Sequence, residues 1–223
     1  MSQVLNSMSL STAEAAATEL QRILYSYCQR CIVAGSIRRR AQVVNDIEFV
    51  VIPKFDAPKG SLPGTDAAPE DWLDEFMKLV DAGDHRDLKR PIKAVGASRR
   101  PAWGPRYKKL VFQHVNRWLP IDLWITSPER FGAILAIRTG DKDFSRLLVT
   151  QRSKGGAMPA GHRQNNGQLE RCSGDDLAWS TFLPVETPDE DAFFGAIGLP
   201  TLNPTLRTEA NLRTLLRAGG SSL

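Results

Sequence analysis

The spacing of apolar residues predicts helices in several parts of the chain. Residues 11–27 place apolar side chains at positions 16, 20, 23, 24 and 27, which predicts a helix with one buried face. Ser11 and Glu14 form a possible capping box at its start. Residues 72–80 show the same period and predict a second helix, with Gly83 as a plausible end.

Four short apolar runs predict strands. Residues 31–35 are apolar and β-branched and end in a Gly-Ser turn. Residues 46–53 form another run, stopped by a proline, and residues 108–115 and 119–126 add two more. We expect the strand at 119–126 to lie beside the strand at 46–53.

Turn-forming residues separate these elements and dominate the second half of the chain. Residues 54–69 are rich in Pro, Gly, Ala and Asp and predict a surface loop. Residues 128–137 predict a helix begun by a Ser-Pro pair, and Asn166-Gly167 predicts a hairpin in the polar stretch that follows. From residue 188 onwards, short helical stretches are broken by the sequences GLP and NP.

Composition indicates a folded protein without a membrane-spanning segment. Of the 223 residues, 42% are apolar and 24% are charged, enough for one good core or for a core with a smaller appended lobe. No run approaches the roughly 18 apolar residues of a membrane span, and the N-terminus lacks the basic and apolar parts of a signal peptide, so we expect a cytoplasmic protein with no membrane partner.

The cysteine pattern argues against a disulfide framework or a structural zinc site. The chain has three cysteines, an odd number, and the Cys28–Cys31 pair has no second ligand pair. We interpret these residues mainly as buried thiols, with a metal or redox role as the alternative.

Positive charge is concentrated in one segment. The net charge is +4, but residues 86–117 hold ten Lys or Arg against one Asp, a local charge of +9. Two interpretations remain open at this point: a solvated basic face, or a track for a phosphate backbone.

Three carboxylates in or near the predicted strands indicate a metal site. Asp46 and Glu48 are two residues apart, so a strand would point both to the same face, where they repel unless a cation lies between them. Oxygen ligands suit Mg²⁺. Asp122 stands in an otherwise apolar strand and is the best third ligand for a pair of ions about 3.5–4 Å apart.

The segment before these acids is suited to phosphate. The Gly35-Ser36 turn allows a close backbone approach, and its hydroxyl and N–H groups can hold phosphate oxygens. Arg39 could add a bidentate contact. The basic turn would then hold a triphosphate beside metal-binding carboxylates. The alternative is an exposed hairpin whose Arg and Asp side chains form surface pairs of little energetic value.

The string GSIRRRAQVVNDIE resembles the nucleotidyltransferase signature of the DNA polymerase beta superfamily, in which Gly-Ser is followed by paired Arg and an acidic pair. Two further stretches are similar to later parts of family-X members: IDLWITSPERFGAILAIRTGDKDFSRLL (121–148) and EDAFFGAIGLPTLNPTLR (190–207). The resemblance covers roughly residues 31–207, with three motifs in the family's order.

This resemblance implies an α+β fold. Residues 1–127 would form a nucleotidyltransferase palm, a mixed sheet with flanking helices, and residues 128–223 a small thumb-like α/β subdomain. It implies a minimal family-X-like DNA polymerase, as in phage and bacterial relatives, that adds dNMP to a DNA 3′ end. The expected cofactor is a pair of Mg²⁺ ions, with Mn²⁺ as a substitute, and the expected partners of this monomer are DNA and dNTP.

The resemblance also assigns roles by position. Asp46, Glu48 and Asp122 would bind metal, with Asp122 also accepting the proton of the primer hydroxyl, and Arg38 would support the acidic site through an ion pair. The residues implied to contact or shape the nucleotide site are Gly35, Ser36, Arg39, Thr139, Gly140, Phe144 and Ser145. The residues expected to contact nucleic acid, from the basic segment and from the resemblance, are Arg99, Arg100, Arg106, Lys108, Lys109, Lys142 and Arg146.

Departures from the family pattern keep other functions open. Glu48 stands where the family more often has Asp, and Ser145 stands where polymerases often have Asn. About 30 residues precede the Gly-Ser motif, too few for the helical lyase domain and fingers that grip gapped DNA. One alternative is nucleotidyl transfer to an RNA end, a protein or a small molecule, and another is a non-catalytic nucleic-acid-binding module. The basic segment argues against a small-molecule acceptor, and the three carboxylates argue against the module.

Overall fold

The chain has an α+β fold, and the computed structural model describes residues 7–56, 70–81, 92–94, 103–173 and 181–219. It divides into two compact units. The first unit comprises Met1–Val33 and Gln42–Ile125, and the second comprises Ala34–Ala41 and Thr126–Leu223. Among the described residues, no helix combines the length and the apolar character needed to cross a lipid bilayer.

The secondary structure of the described residues alternates between short strands and short helices. The strands are β1 (Met8–Ser9), β2 (Cys28–Val33), β3 (Val43–Val44), β4 (Ile47–Pro53), β5 (Phe55–Asp56), β6 (Glu70–Asp71), β7 (Ile92–Ala94), β8 (Trp103–Gly104), β9 (Tyr107–His114), β10 (Arg117–Ile125), β11 (His162–Asn165), β12 (Gln168–Cys172) and β13 (Phe182–Val185). The α-helices are α1 (Leu10–Leu24), α2 (Gly35–Arg38), α3 (Trp72–Asp81), α4 (Phe131–Thr139), α5 (Lys142–Leu148), α6 (Glu190–Ala196) and α7 (Glu209–Gly219). Short 3₁₀ turns lie at Pro128–Arg130, Arg152–Lys154 and Pro204–Leu206.

Helix α1 confirms the first predicted helix but corrects its cap. The helix begins at Leu10, so Ser11 lies inside it, and the backbone at Ser9 is extended. The Ser9 hydroxyl accepts a hydrogen bond from the Thr12 N–H at 3.3 Å, which satisfies one of the N–H groups left open at a helix start. The capping box predicted at Ser11 is therefore wrong by two residues. The buried face consists of Ala13, Ala16, Ala17, Leu20 and Leu24.

The first unit contains a mixed sheet with the strand order β2-β4-β10-β9-β7, and β8 pairs with β9 beside this path. Strands β4 and β10 are parallel, whereas the other pairs in the sheet are antiparallel. The prediction that the strand at 119–126 lies beside the strand at 46–53 is confirmed.

The two faces of this sheet differ in burial. Successive strand residues point to opposite faces, and on one face the side chains are almost fully buried. This face carries Ile47, Phe49, Leu110, Phe112, Leu119, Ile121 and Leu123. On the other face, Val50 and Ile52 of β4 are buried too, whereas the β9 side chains Tyr107, Lys109, Val111 and Gln113 are only partly buried and Trp118 at the start of β10 is 37% exposed. A polar side chain on this second face can therefore meet a ligand.

The second unit packs its helices and a three-stranded antiparallel sheet around its own apolar core. The sheet order is β11-β12-β13. The predicted hairpin is confirmed, since Asn166 and Gly167 connect β11 to β12 with φ values of +51° and +88°. The core consists of Ala133, Ala136, Phe144, Leu147, Leu148, Ala157, Met158, Leu169, Phe193, Phe194, Ile197 and Leu212.

The prediction of buried cysteines is confirmed, whereas the predictions for residues 54–69 and Gly83 fall largely outside the described residues. Cys28 and Cys31 are buried and free, as expected, and burial, with a smaller effect from the negative charge of Asp71, raises the pKa of the Cys28 thiol to about 12. Most of the predicted 54–69 loop and the predicted helix end at Gly83 lie outside the described residues.

Candidate functional site

Two of the predicted metal ligands lie next to each other on neighbouring parallel strands. Asp122 on β10 is the register partner of Glu48 on β4, so both side chains point to the partly exposed face of the sheet. The Asp122 side chain is 12% exposed, which makes it accessible but largely removed from water. Asp46 directly precedes β4, two residues before Glu48.

All three predicted metal ligands affect the pKa of one tyrosine, Tyr107. The pKa of the Tyr107 hydroxyl is raised well above its ordinary value, first by burial and then by its hydrogen bond to Asp122. The negative charges of Asp122, Asp46 and Glu48 raise it further. The negative charges of all three carboxylates therefore lie close enough to the Tyr107 hydroxyl to affect its pKa.

Neutral and cationic donors surround the two register partners. The Tyr107 hydroxyl donates to Asp122 Oδ1 at 2.8 Å, and the Lys109 ammonium lies 3.4 Å from the same oxygen. The Trp124 indole N–H donates to Glu48 Oε1 at 3.1 Å. We call this group of five side chains, Glu48, Tyr107, Lys109, Asp122 and Trp124, the carboxylate face.

Sequence reasoning missed the two aromatic members of the carboxylate face. Tyr107 lies two residues before Lys109, and Trp124 lies two residues after Asp122, so strand alternation places all four on one side. Strand alternation could have identified both aromatic residues from the sequence. The pairing of β9 with β10 then brings Tyr107 and Trp124 opposite each other.

The chemistry of these donors suits a hard divalent cation. The potential ligands are carboxylate oxygens, which Mg²⁺ and Mn²⁺ prefer, and the Lys109 ammonium already lies near one of them. In the part of the chain that the structure describes, no three Asp, Glu, His or Cys side chains are gathered closely enough to hold an ion as they stand. The two carboxylates that the sheet brings into register, Asp122 and Glu48, are the residues that would hold a metal, and the sequence adds Asp46 as the third candidate.

The predicted phosphate-binding turn lies in the second unit, at the start of helix α2. Gly35 has φ = +60°, a conformation that a side chain disfavours, which explains the glycine at this position. The Ser36 hydroxyl oxygen is buried and has no hydrogen-bond partner among the described residues. A buried hydroxyl without a partner is costly, so this group is suited to receive one from a ligand.

Arg39 connects this turn to the predicted Thr-Gly turn. Its Nη1 donates to the carbonyl oxygens of Thr139 at 2.7 Å and of Gly140 at 2.8 Å. Both acceptors are neutral, and among the described residues Arg39 has no carboxylate partner. The described partners of this guanidinium are therefore neutral carbonyl groups.

The side chains around the Thr139-Gly140 turn are mostly buried. A Cβ at Gly140 would lie 2.1 Å from Phe144 Cδ1 and 2.9 Å from Ser145 Oγ, so only glycine fits there. Thr139 and Phe144 are fully buried, and Ser145 donates its hydroxyl to the Ile137 carbonyl at 2.6 Å. The burial of Phe144 agrees with its expected place beneath the nucleotide pocket, and the roles of Thr139 and Gly140 in shaping that pocket stay predictions.

Arg38 forms an ion pair, but with a partner that the sequence did not predict. It binds Glu190 through two hydrogen bonds of 2.7 and 2.6 Å and also donates to the Thr139 hydroxyl at 2.9 Å. The fully buried Arg207 forms a second ion pair with Glu190. The ion pair expected for Arg38 is thus present with Glu190, and its support of the metal ligands stays a prediction. Although burial by itself raises the pKa of Glu190, the hydrogen bonds and charges of the two arginines lower it below its ordinary value.

The predicted nucleic-acid contacts have mixed outcomes. Lys108 is only 2% exposed, and its ammonium lies 2.5 Å from Asp74 Oδ1, so this prediction is wrong because the side chain is buried in an ion pair. Arg106, Lys142 and Arg146 are exposed, although Arg146 pairs with Asp143 at 3.1 Å. Arg99 and Arg100 lie outside the described residues.

The described side chains thus offer two chemical capacities. The carboxylate face, together with Asp46, can hold hard cations and accept a proton. The turn at residues 35–39 offers to an anion a buried hydroxyl and a guanidinium whose described partners are neutral. Neither a protein-family model nor a curated protein matches this chain.

Proposed function

We propose that the protein is a metal-dependent nucleotidyltransferase, a minimal family-X-like DNA polymerase that adds dNMP to a DNA 3′ end. The observation that carries the proposal is the register pairing of Asp122 with Glu48 on the partly exposed face of the sheet, with Asp46 two residues away along the chain. Acidic side chains on adjacent strands rarely face each other without a cation, because their repulsion is destabilising.

The carboxylates would serve both binding and proton transfer. In the proposed reaction the primer 3′ oxygen forms a bond to the α-phosphorus of the dNTP, the bond from that phosphorus to the bridging oxygen breaks, and pyrophosphate leaves. Asp122 accepts the proton of the attacking hydroxyl. Divalent ions bound by Asp46, Glu48 and Asp122 would neutralise charge that develops on the phosphates.

The turn at residues 35–39 would bind the triphosphate. Ser36 contributes the buried hydroxyl without a partner, and Arg39 contributes a guanidinium bonded to neutral carbonyl groups. A phosphate oxygen forms stronger, charge-assisted hydrogen bonds with a guanidinium than a carbonyl does. Binding of an anion at this turn is therefore compatible with its present hydrogen bonds.

Exposed basic side chains would contact the DNA backbone. Lys109 lies on the carboxylate face, and Arg106, Lys142 and Arg146 are exposed. Such contacts release counterions from the nucleic acid, so binding should weaken steeply as the salt concentration rises.

The test is primer extension with the purified full chain and Asp122→Asn beside it. Labelled primer, alone or annealed across a short gap, is incubated with dNTPs or NTPs and with Mg²⁺ or Mn²⁺. We expect template-dependent extension with dNTPs that requires the metal and is lost in Asp122→Asn. Glu209→Gln, which changes an acidic residue in an exposed helical ion pair, is the matched control and should extend primers normally.

Two outcomes would contradict the proposal in different ways. Metal-dependent triphosphate binding without extension of any primer would transfer the activity to another acceptor, such as an RNA end or a protein. Nucleic-acid binding without any metal-dependent nucleotide binding would indicate a non-catalytic module.

A further inference from the structure

The partly exposed face of the first unit's sheet continues beyond the carboxylates. Register partners in antiparallel strands point to the same face, so side chains of β7, β9 and β10 follow Asp122 on the side away from Trp124. In the described residues of these three strands, the side chains that continue this face are Lys93, Val111, Gln113, Trp118 and Pro120. We call these five side chains the Trp118 platform.

The Trp118 platform combines an exposed aromatic ring with positive charge. Trp118 is 37% exposed, and Lys93 is exposed as well. The Lys93 ammonium lies over the Trp118 ring, 4.5 Å from its centroid, where the electrons of the ring attract a cation. None of the five side chains is acidic, so the platform favours an anionic partner with a flat apolar part.

Single-stranded nucleic acid has this combination of properties. Every base has a flat face that can stack on an aromatic side chain, and each nucleotide carries a negative phosphate that attracts lysine. In a duplex the bases stack on one another, so a ring on the protein surface is best suited to an unpaired base. The position of the platform on the same face as Asp122 favours DNA as the occupant, because that face carries the proposed reaction.

We propose that the Trp118 platform binds single-stranded DNA, with Trp118 stacked on an unpaired base and Lys93 close to a neighbouring phosphate. The inference rests on the proposed function for the position of the DNA 3′ end. Binding to the platform itself requires neither metal nor dNTP.

Strand geometry predicts which base meets Trp118. Trp118 precedes Asp122 by four residues on β10, and a strand advances by about 3.3 Å per residue, so the two backbone positions are about 13 Å apart. A stacked DNA strand advances by about 3.4 Å per nucleotide. The base on Trp118 should therefore lie about four nucleotides from the site of addition.

The first test measures DNA binding by fluorescence anisotropy without metal or dNTP. The full chain is titrated into a labelled oligothymidylate of about 12 nucleotides and, separately, into a duplex of the same length. Loss of a stacked ring typically weakens binding by roughly 5- to 150-fold. We expect Trp118→Leu, which keeps an apolar side chain without a ring, to bind the single strand about tenfold more weakly. Trp118→Phe keeps a smaller ring and should lose less.

Lys93→Met tests the phosphate contact through its dependence on salt. Each phosphate contact in a single strand contributes about 0.7 to the slope of log affinity against log salt concentration. Lys93→Met should therefore reduce this slope by about 0.7. The variant also tests the platform independently if Trp118→Leu fails to fold, which thermal unfolding establishes.

Two controls make similar changes on helices at the opposite side of the sheet. Tyr25→Leu removes an exposed aromatic ring at the end of α1, and Lys78→Met removes an exposed lysine of α3. Both should bind DNA like the wild type. Mn²⁺ binding, followed by the electron paramagnetic resonance of the free ion, should be unchanged in the Trp118 and Lys93 variants, because the platform is separate from the carboxylates.

Photocross-linking identifies the base and the strand that supplies it. Iodouracil is placed at successive positions of a free primer or of the template overhang beyond an annealed primer, and mass spectrometry locates the cross-linked residue. We expect a cross-link to Trp118 that is strongest about four nucleotides from the primer 3′ end. The two substrates show whether the unpaired base belongs to the primer or to the template, and no cross-link to Trp118 from either would contradict the proposal.

The outcomes distinguish this inference from the proposed function. Wild-type affinity for the single strand in Trp118→Leu would overturn the inference, and so would an equal loss for single-stranded and duplex DNA, because the ring would then not stack on a base. Primer extension that requires Asp122 would still leave the proposed function standing. Conversely, a chain that loses single-strand binding in Trp118→Leu but extends no primer would retain the platform and refute the proposed polymerase activity.

Discussion

Two carboxylate clusters in this molecule differ in how their charge is balanced. In the second unit, Glu190 is bound by two arginines, Arg38 and the fully buried Arg207. In the first unit, Asp122 and Glu48 are register partners, the Lys109 ammonium lies 3.4 Å from Asp122, and the donors Tyr107 and Trp124 are neutral. The hydrogen bonds to Glu190 come from cationic groups, whereas those from Tyr107 to Asp122 and from Trp124 to Glu48 come from neutral groups.

The difference separates a structural cluster from a candidate ligand site. A buried charge is costly unless it is paired and hydrogen-bonded, and Glu190 satisfies both conditions from within its own unit. On the carboxylate face, two acidic side chains are register partners on the partly exposed side of a sheet, and an added cation would reduce their repulsion. The kind of partner around each carboxylate therefore predicts which cluster responds to metal and which responds to the loss of a side chain.

The largest expected effect is a loss of stability when the ion pairs of Glu190 are broken. Glu190→Gln removes the charge and leaves Arg38 and Arg207 without their ionic partner. Removing one partner of a buried ion pair typically destabilises a protein by about 3–5 kcal/mol. We expect the free energy of unfolding, measured by urea denaturation at pH 7, to fall by this amount.

An exposed glutamate provides the control for that change. Glu209 pairs with Arg213 four residues later in α7, and both side chains are more than a third exposed. Exposed pairs of this kind contribute about 0.3–0.5 kcal/mol, so Glu209→Gln should leave the unfolding curve nearly unchanged. Equal effects of the two substitutions would show that burial does not distinguish the Glu190 cluster.

The second prediction concerns Asp122 on the carboxylate face, where we expect a substitution to lower activity and not stability. Asp122→Asn removes a proposed metal ligand and proton acceptor, and we expect primer extension to fall about 10³-fold, which corresponds to about 4 kcal/mol. Stability without metal should not fall with it, because the substitution also removes repulsion between Asp122 and Glu48. A large loss of stability in Asp122→Asn would place this residue with Glu190 as a structural group.

Strand alternation made the sheet and its carboxylates predictable. The two apolar strands carried acids at Glu48 and Asp122, and an isolated acid in an apolar strand requires a partner or a ligand. Their parallel pairing then brought the two residues into register. The helix at residues 10–24 and the hairpin at Asn166-Gly167 followed from equally local signals.

The errors arose where the outcome depends on distant residues. Lys108 and Lys109 are adjacent in a basic segment, but alternation buries the first against Asp74 and leaves the second near Asp122. Arg38 is separated from Glu190 by 152 positions, and no local pattern pairs them. A run of positive charge is therefore a poor guide to which of its members meet a ligand.

The third prediction concerns pH and distinguishes the clusters again. The pKa of Glu190 is lower in the folded protein than its ordinary value of 4.5, so its contribution to stability is fully present above that value. The contribution is lost as the pH falls below about 4.5 and through the lower pKa of the folded state. We expect the stability difference between wild type and Glu190→Gln to shrink progressively over this acidic range, measured by urea unfolding at successive pH values. A difference that stays constant to the end of the titration would show that the charge of Glu190 is not what stabilises the cluster.

The smallest expected effect tests whether Lys109 already offsets part of the charge of Asp122. Its ammonium lies 3.4 Å from Asp122 Oδ1, and the lysine side chain is 36% exposed. Pairs this exposed contribute up to about 1 kcal/mol, which is about fivefold in a binding constant. Lys109→Met should therefore bind Mn²⁺ up to about fivefold more tightly, because the competing cation is gone. Lys93→Met, which removes a lysine that contacts Trp118 in the same sheet, is the control and should leave Mn²⁺ affinity unchanged. Weaker Mn²⁺ binding in Lys109→Met would mean that the lysine supports the carboxylates rather than competing for them.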